Sequence, residues 1–358
     1  MSKAPAESTR PAKRPFLRTV SPGIAVVLLC AFAVPAILNL AMGARDRWLR
    51  PPPGTFFTVD GARMHLNCTG AGSPTVVLES GLGDDFLQWR KIQPALSQIT
   101  RVCSYDRAGY GWSDRRPGPR DSIHIADELH SLLEQAGISG PIILMGHSAG
   151  GLHIRQYATK YPTNIVGMVF VDASTPAQVN VLPAELVAPD NLRVPEIETV
   201  FGIPRIRGRC GQHEWTGMGT VPSDSLQDVA LMKADDCQLS VLTTTGREWN
   251  DFRSDCEEVA GTGPFGDLPI LIFSEDPQYR PSFWEPARLF PVFSKTWNSL
   301  QDGLKGLSTR SRRIIAKGSS HYVQIDRPEL VIAEVGHFIR SIQGLQPQAA
   351  VYGTTTTE

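Results

Sequence analysis

The feature that most constrains the fold of this chain is an alternation of short apolar runs with amphipathic segments. The apolar runs are typical of buried strands, and the segments between them carry apolar residues at helical spacing. This alternation predicts βαβ units and a mostly parallel sheet that is flanked by helices. The strand-like runs lie at 74–80, 101–106, 141–146, 165–174 and 268–277, and two further strand candidates precede them from residue 55.

The alternation stops near residue 175 and resumes near residue 267. Residues 175–266 contain no clean buried strand and are rich in proline, charge and scattered aromatic residues. A stretch of this length is too long for a plain loop in a compact domain, so we expect an inserted subdomain. The predicted core is therefore split between 55–174 and 267–343.

The N-terminal segment predicts attachment to a membrane. Residues 22–44 carry no charge, and a helix of about 20 apolar residues can cross the bilayer. The basic tail at 1–21 then stays in the cytoplasm, and the rest of the chain lies across the membrane after a proline-rich linker at 45–54. The alternative is a cleaved signal segment and a secreted protein.

Composition excludes few other classes. The net charge of −1 gives no overall bias towards nucleic acid. Six cysteines fit an oxidising compartment better than a reducing one. The chain has no CxxC pair or HExxH run, so we predict no metal site. The polar residues 344–358 are expected to be disordered.

The sequence GHSAG suggests a nucleophile. Ser148 lies between a buried strand and a helix, which is the context of a strained turn that exposes a serine hydroxyl. The flanking Gly146 and Gly150 have no Cβ atoms to clash where the backbone comes close together. The positive end of the helix also points towards the serine oxygen.

Together with two further motifs, this pattern resembles the α/β-hydrolase superfamily over residues 55–343. DRAGYGWSD at 106–114 matches a turn of that family, where we expect a structural role, and GSSHYVQ places His321 between a late strand and the last helix. The resemblance implies a mostly parallel eight-stranded sheet with a cap inserted after the sixth strand. It also implies that His321 acts as the base for Ser148.

The resemblance leaves the third member of the triad open. The usual acid position of the family, the loop after the strand that precedes the histidine strand, favours Asp276. Asp172 occupies the alternative position known in some lipases of the superfamily, and Glu275 is a further candidate.

The resemblance also suggests an oxyanion hole and a disulfide. The amide of Ala149 is one expected donor, and Leu82 in SGLGDD is the candidate for the other, although the usual His-Gly motif of the family is missing there. The strand order of the family would bring Cys68 close to Cys103, so these two cysteines are either disulfide-bonded or two buried thiols.

These expectations combine into a membrane-anchored serine hydrolase that cleaves a carboxylic ester of a small-molecule acyl substrate. No cofactor and no nucleic-acid partner are expected. A serine nucleophile argues against the dehalogenase and epoxide hydrolase branches of the superfamily, which use aspartate. Two alternatives remain: the same triad used on amides, C–C bonds or in acyl transfer, and a membrane-tethered binding protein on this fold.

Overall fold

The computed structural model of the protein describes residues 22–187, 193–212, 221–279 and 288–345. The predicted basic tail at 1–21 and all but the first two residues of the predicted tail at 344–358 lie outside this part. Within it, one sheet contains eight strands in the order β1-β2-β4-β3-β5-β6-β7-β8. The strands are β1 Thr55–Val59, β2 Ala62–Thr69, β3 Thr75–Glu79, β4 Val102–Tyr105, β5 Ile142–His147, β6 Ile165–Val171, β7 Ile270–Ser274 and β8 Ser311–Ile315.

The sheet is mostly parallel, as predicted. Only β2 runs antiparallel to its two neighbours, β1 and β4, and the other pairs are parallel. Strands β3, β4 and β5 are buried at every residue, because helices cover both faces of a parallel sheet. The carboxyl ends of β3, β5 and β6 therefore meet at one edge, where a site can form.

The helices are α1 Pro22–Leu49, α2 Gln93–Leu96, α3 Ser122–Gln135, α4 Gly150–Lys160, α5 Gln178–Val181, α6 Ala184–Val187, α7 Arg193–Val200, α8 Ile203–Ile206, α9 Leu226–Asp235, α10 Leu239–Val259, α11 Phe290–Gly303, α12 Val323–Asp326 and α13 Pro328–Leu345. Apolar residues of α3 and α4 form one buried cluster with the sheet. Those of α2 and α13 form a second one with it. These two clusters are the core of the domain.

The segment between β6 and β7 is helical in its described parts and contains α5 to α10. The predicted insertion after the sixth strand is thus present, and we call it the cap. Helix α10 packs against α3 and α4 of the core. The disulfide Cys210–Cys237 links two parts of the cap, and a second disulfide joins Cys68 to Cys103. The latter two cysteines are direct partners in the β2–β4 register.

Helix α1 is long enough to cross a membrane. Its residues Leu29–Leu49 have a mean hydropathy of 1.3, and 17% of the most apolar window is buried against the protein. The helix continues to Leu49, into the predicted linker, and ends before the prolines that begin at Pro51, since a residue that precedes proline disfavours the helical region. The second half of α1 contacts the cap, where Asn39 Nδ2 donates to the Thr199 carbonyl at 2.6 Å.

Candidate active site

The turn at Ser148 has the geometry of a nucleophile elbow. Ser148 follows the last residue of β5 and has a φ of 50°, which is a strained, left-handed conformation for a serine. A Cβ atom at Gly146 would lie 2.6 Å from the Gly150 carbonyl oxygen, and one at Gly150 would lie 2.5 Å from that of Glu79. The close approach therefore requires glycine at both positions, as the motif predicts.

Backbone hydrogen bonds tie the elbow to the end of β6. The Ser148 N–H donates to the Val171 carbonyl at 3.2 Å, and the Ser148 carbonyl accepts from the Ser174 N–H at 2.8 Å. Asp172 lies between these two partners in the chain and is fully buried. The end of β6 is therefore fixed directly beside the serine.

His321 lies in the loop between β8 and α12, next to the residue that precedes the serine. Its ring centroid is 4.6 Å from that of His147. Burial, followed by the charge of His321, lowers the pKa of His147 well below its usual value. Neutral His147 can then donate from Nε2 to the His321 carbonyl at 3.0 Å and accept at Nδ1 from Gln88, which fixes the backbone of His321 at the elbow.

The carboxylate that contacts His321 belongs to Asp172. Nδ1 of His321 is 2.6 Å from Asp172 Oδ2. Trp297 Nε1 lies 3.0 Å from both oxygens of the same carboxylate, and the Glu275 N–H donates to Oδ1 at 2.9 Å. With these three donors around it, Asp172 can hold the imidazole in one orientation and stabilise its protonated form.

The expectation that Asp276 orients His321 disagrees with this arrangement. The Asp276 carboxylate accepts hydrogen bonds from the Gly318 N–H at 2.9 Å and the Gln278 N–H at 3.0 Å. Burial opposes its ionisation, but these two hydrogen bonds and Lys317 keep the pKa of Asp276 below its usual value. Asp276 therefore caps a loop, and the carboxylate that contacts His321 is that of Asp172, the alternative candidate. Glu275 contributes its backbone N–H to Asp172.

The loop after β3 lies against the elbow. A Cβ atom at Gly81 would be 3.2 Å from Ser148 Cβ, and the side chain of Leu82 packs in one apolar cluster with Ala149. Within the described part of the chain, the backbone N–H groups of Leu82 and Ala149 donate no hydrogen bond. This arrangement agrees with the expected oxyanion hole, whose donors remain a prediction.

Two side-chain contacts near the site could not be predicted from the sequence. Trp297 lies on α11, where an amphipathic pattern indicates only a helix, and its contact with Asp172 depends on how that helix crosses the sheet. Arg107 lies in the DRAGYGWSD turn, where local backbone contacts are expected, but it also reaches the loop after β3. Among the residues that the structure describes, no cluster of His, Cys, Asp or Glu could hold a metal ion.

Comparisons with known proteins agree with the fold. The sequence profile of the alpha/beta hydrolase fold matches residues 74–193. A putative epoxide hydrolase variant from Pseudomonas aeruginosa superposes with a TM-score of 0.60 at 18% identity, over 83% of this chain and 99% of that chain. These matches, the strand order and the elbow show that the chain has the α/β-hydrolase fold.

Two curated relatives match most of this chain. A probable transporter of Hormonema carpetanum is 28% identical over 305 residues, which cover 79% of this chain and 41% of the relative. An AB hydrolase superfamily protein of Gibberella zeae is 24% identical over 293 residues, which cover 75% of this chain and 87% of the relative. The chain spans less than half the length of the first curated relatives it matches. It has the α/β-hydrolase fold, and a protein titled as a putative epoxide hydrolase is among its structural neighbours.

Proposed function

We propose that this protein is a serine hydrolase that cleaves a carboxylic ester through an acyl-enzyme intermediate. The observation that carries the proposal is the contact of 2.6 Å between His321 Nδ1 and Asp172, beside the strained elbow of Ser148. A serine hydroxyl needs a base to become a nucleophile, and a base needs a partner that fixes its orientation. We assign these two roles to His321 and Asp172.

The reaction would proceed in two steps. His321 accepts the proton of the Ser148 hydroxyl while Ser148 Oγ attacks the carbonyl carbon, and Asp172 stabilises the imidazolium that results. The N–H groups of Leu82 and Ala149 donate to the oxyanion. The tetrahedral intermediate collapses, His321 returns the proton to the leaving alcohol, and water then releases the acid from the acyl-enzyme through the same base.

The residue at the nucleophile position argues against epoxide hydrolase activity, although a structural neighbour is titled as a putative epoxide hydrolase. The epoxide hydrolase branch uses an aspartate at the elbow, where this chain has Ser148. An aspartate forms an ester with the opened epoxide, whereas a serine forms an acyl-enzyme with a carbonyl substrate. The neighbour is 18% identical to this chain, so its likeness concerns the fold and not the substrate.

Helix α1 supports the proposal that the enzyme is anchored in a membrane. Many of its apolar side chains are exposed in the structure, including Val27 at 67% and Leu29 at 68%. Contact with lipid would remove this apolar surface from water. We place the N-terminus in the cytoplasm and the hydrolase domain on the other side, with the alternative that α1 is cleaved and the domain is secreted.

Labelling with a fluorophosphonate probe tests the nucleophile. We expect the full-length protein in detergent to react with the probe and the Ser148→Ala variant not to react. Ser174→Ala is the matched control, because Ser174 is a buried serine whose backbone N–H donates to the Ser148 carbonyl. Equal labelling of the wild type and Ser148→Ala would refute the proposal.

A substrate panel then tests the reaction class. We expect p-nitrophenyl esters to be hydrolysed faster than the matching anilides and faster than an aryl epoxide. Faster turnover of the anilides would favour amidase chemistry on the same triad. Ser148-dependent turnover of the epoxide alone would contradict the ester proposal.

A further inference from the structure

Arg107 connects the turn after β4 with the loop that lies against the elbow. The residue is 2% exposed. Its NH1 donates to the Ser80 carbonyl at 2.7 Å, and its NH2 donates to the Gly81 carbonyl at 2.8 Å. The planar guanidinium therefore holds two successive carbonyl groups of this loop.

Two buried carboxylates hold Arg107 in place. Glu79, at the end of β3, accepts from NH1 at 2.9 Å. Glu248, on cap helix α10, accepts from Nε at 3.1 Å and from NH2 at 2.9 Å, which is a bidentate contact. Charge-assisted bidentate pairs of this kind fix geometry strongly. The position of Arg107 is thus set by the core on one side and by the cap on the other.

The contact with Gly81 has a consequence for the proposed oxyanion hole. The Gly81 carbonyl and the Leu82 N–H belong to the same planar, trans peptide group and point in opposite directions. A hydrogen bond that fixes the direction of the carbonyl therefore also fixes the direction of the N–H. The Leu82 N–H donates no hydrogen bond within the described residues. The direction in which it points is therefore set through the Gly81 carbonyl, which accepts from Arg107 at 2.8 Å and, over a longer distance of 3.3 Å, from the Asp84 N–H.

We propose that Arg107 is a positioning residue that aims the Leu82 N–H at the oxyanion, and that Glu248 of the cap holds Arg107 for this task. The inference rests on the proposed hydrolase function. It makes the rate of acyl transfer depend on a buried ion pair between cap and core, although neither side chain contacts the substrate.

A comparison of two buried arginines tests the proposal. Arg107→Lys keeps the positive charge but loses the planar fork, so it cannot hold Ser80, Gly81 and Glu248 together. Arg120→Lys is the matched control, because Arg120 is 1% exposed and contacts Glu128 at 2.6 Å and Glu248 at 3.7 Å, whereas its contacts do not include the loop. Both variants should lower the temperature of unfolding.

The two variants should differ in catalysis. We expect Arg107→Lys to lower kcat for an ester by about 100-fold, since misplacing or losing one oxyanion donor has effects of this order. The rate constant for inactivation by the fluorophosphonate should fall in parallel, while KM changes by less than about threefold because the donor acts mainly in the transition state. The pH midpoint of kcat/KM should not move, since Asp172 and His321 are unchanged. Arg120→Lys should keep kcat within about threefold of the wild type.

Equal losses of kcat in the two variants would overturn the proposal, because Arg107 would then only stabilise the fold. If Arg107→Lys does not fold, Glu248→Gln replaces it, since this change keeps the shape and weakens the charge pair with Arg107. Its kcat should fall by about tenfold, and an unchanged kcat would also overturn the proposal. Activity that survives Ser148→Ala is a separate result, which would refute the hydrolase function and this inference with it.

Discussion

The assignment of Asp172 leads to a prediction with a matched pair of variants, Asp172→Asn and Asp276→Asn. The oxygens of Asp172 face three donors, which are His321 Nδ1, Trp297 Nε1 and the Glu275 N–H. An asparagine offers one acceptor oxygen and one NH2 group in the same space. Either His321 loses its acceptor, or another buried donor faces the NH2 group.

The expected loss of kcat follows from the number of donors that the Asp172 carboxylate accepts from. If the amide turns its NH2 group to His321, the imidazole loses the carboxylate that fixes its tautomer and stabilises its charge. In a serine protease the same change of acid to amide lowers kcat by about 10⁴-fold, which corresponds to a barrier increase of about 5.5 kcal/mol. We therefore expect a loss of about 10³- to 10⁴-fold for Asp172→Asn. Asp276→Asn should change kcat by less than about threefold, because it alters only a loop cap.

The assay is steady-state hydrolysis of a p-nitrophenyl ester between pH 5 and 10, together with thermal unfolding of each variant. A loss of kcat in Asp172→Asn with the fold intact supports the assignment. Equal kcat values for Asp172→Asn and the wild type would refute it, and so would a larger loss in Asp276→Asn. The second outcome would mean that His321 moves to the β7 loop in the working enzyme.

Three further predictions concern stability, cysteines and the membrane. Burial raises the pKa of Asp255 to about 8, so the folded state disfavours the ionised carboxylate and the free energy of unfolding should fall as pH rises from about 4 to about 8. In urea titrations across this pH range, the free energy of unfolding of Asp255→Asn should fall less than that of the wild type. An equal fall in both proteins would contradict the prediction. Thiol titration of the denatured protein without reductant should detect two thiols, Cys30 and Cys256, rather than six, since the other cysteines are paired. The full-length protein should stay with membranes after carbonate extraction, whereas a form that begins after residue 44 should be released, and release of both forms would contradict an anchor.

Most of the fold could be predicted from the sequence because its signals are local. Each buried strand of a parallel sheet is a short apolar run, and each covering helix has its own apolar stripe. The alternation, the insertion after the sixth strand and the eight strands confirm this interpretation. The extension of α1 to Leu49 was missed because the linker was placed from charge and proline alone.

The sequence by itself determined where the elbow turn lies, and with it the position of the proposed nucleophile. The sharp turn at Ser148 requires two glycines at fixed spacing, so five consecutive residues are enough to predict it. The position of His321 before the last helix is a similarly local signal, whereas no local signal identifies the carboxylate that contacts His321.

Only the tertiary structure decided which carboxylate contacts His321. Asp172 and Asp276 both follow parallel strands that are neighbours in the sheet, so both reach the same edge, and sequence distance cannot separate them. The choice depends on the direction in which each chain leaves its strand: Asp172 is held beside Ser148 by the hydrogen bonds of its neighbours, whereas Asp276 turns towards Gly318. The contacts of Trp297 and Arg107 were also decided by the tertiary structure, because long side chains from distant segments meet only once the helices and the cap are packed.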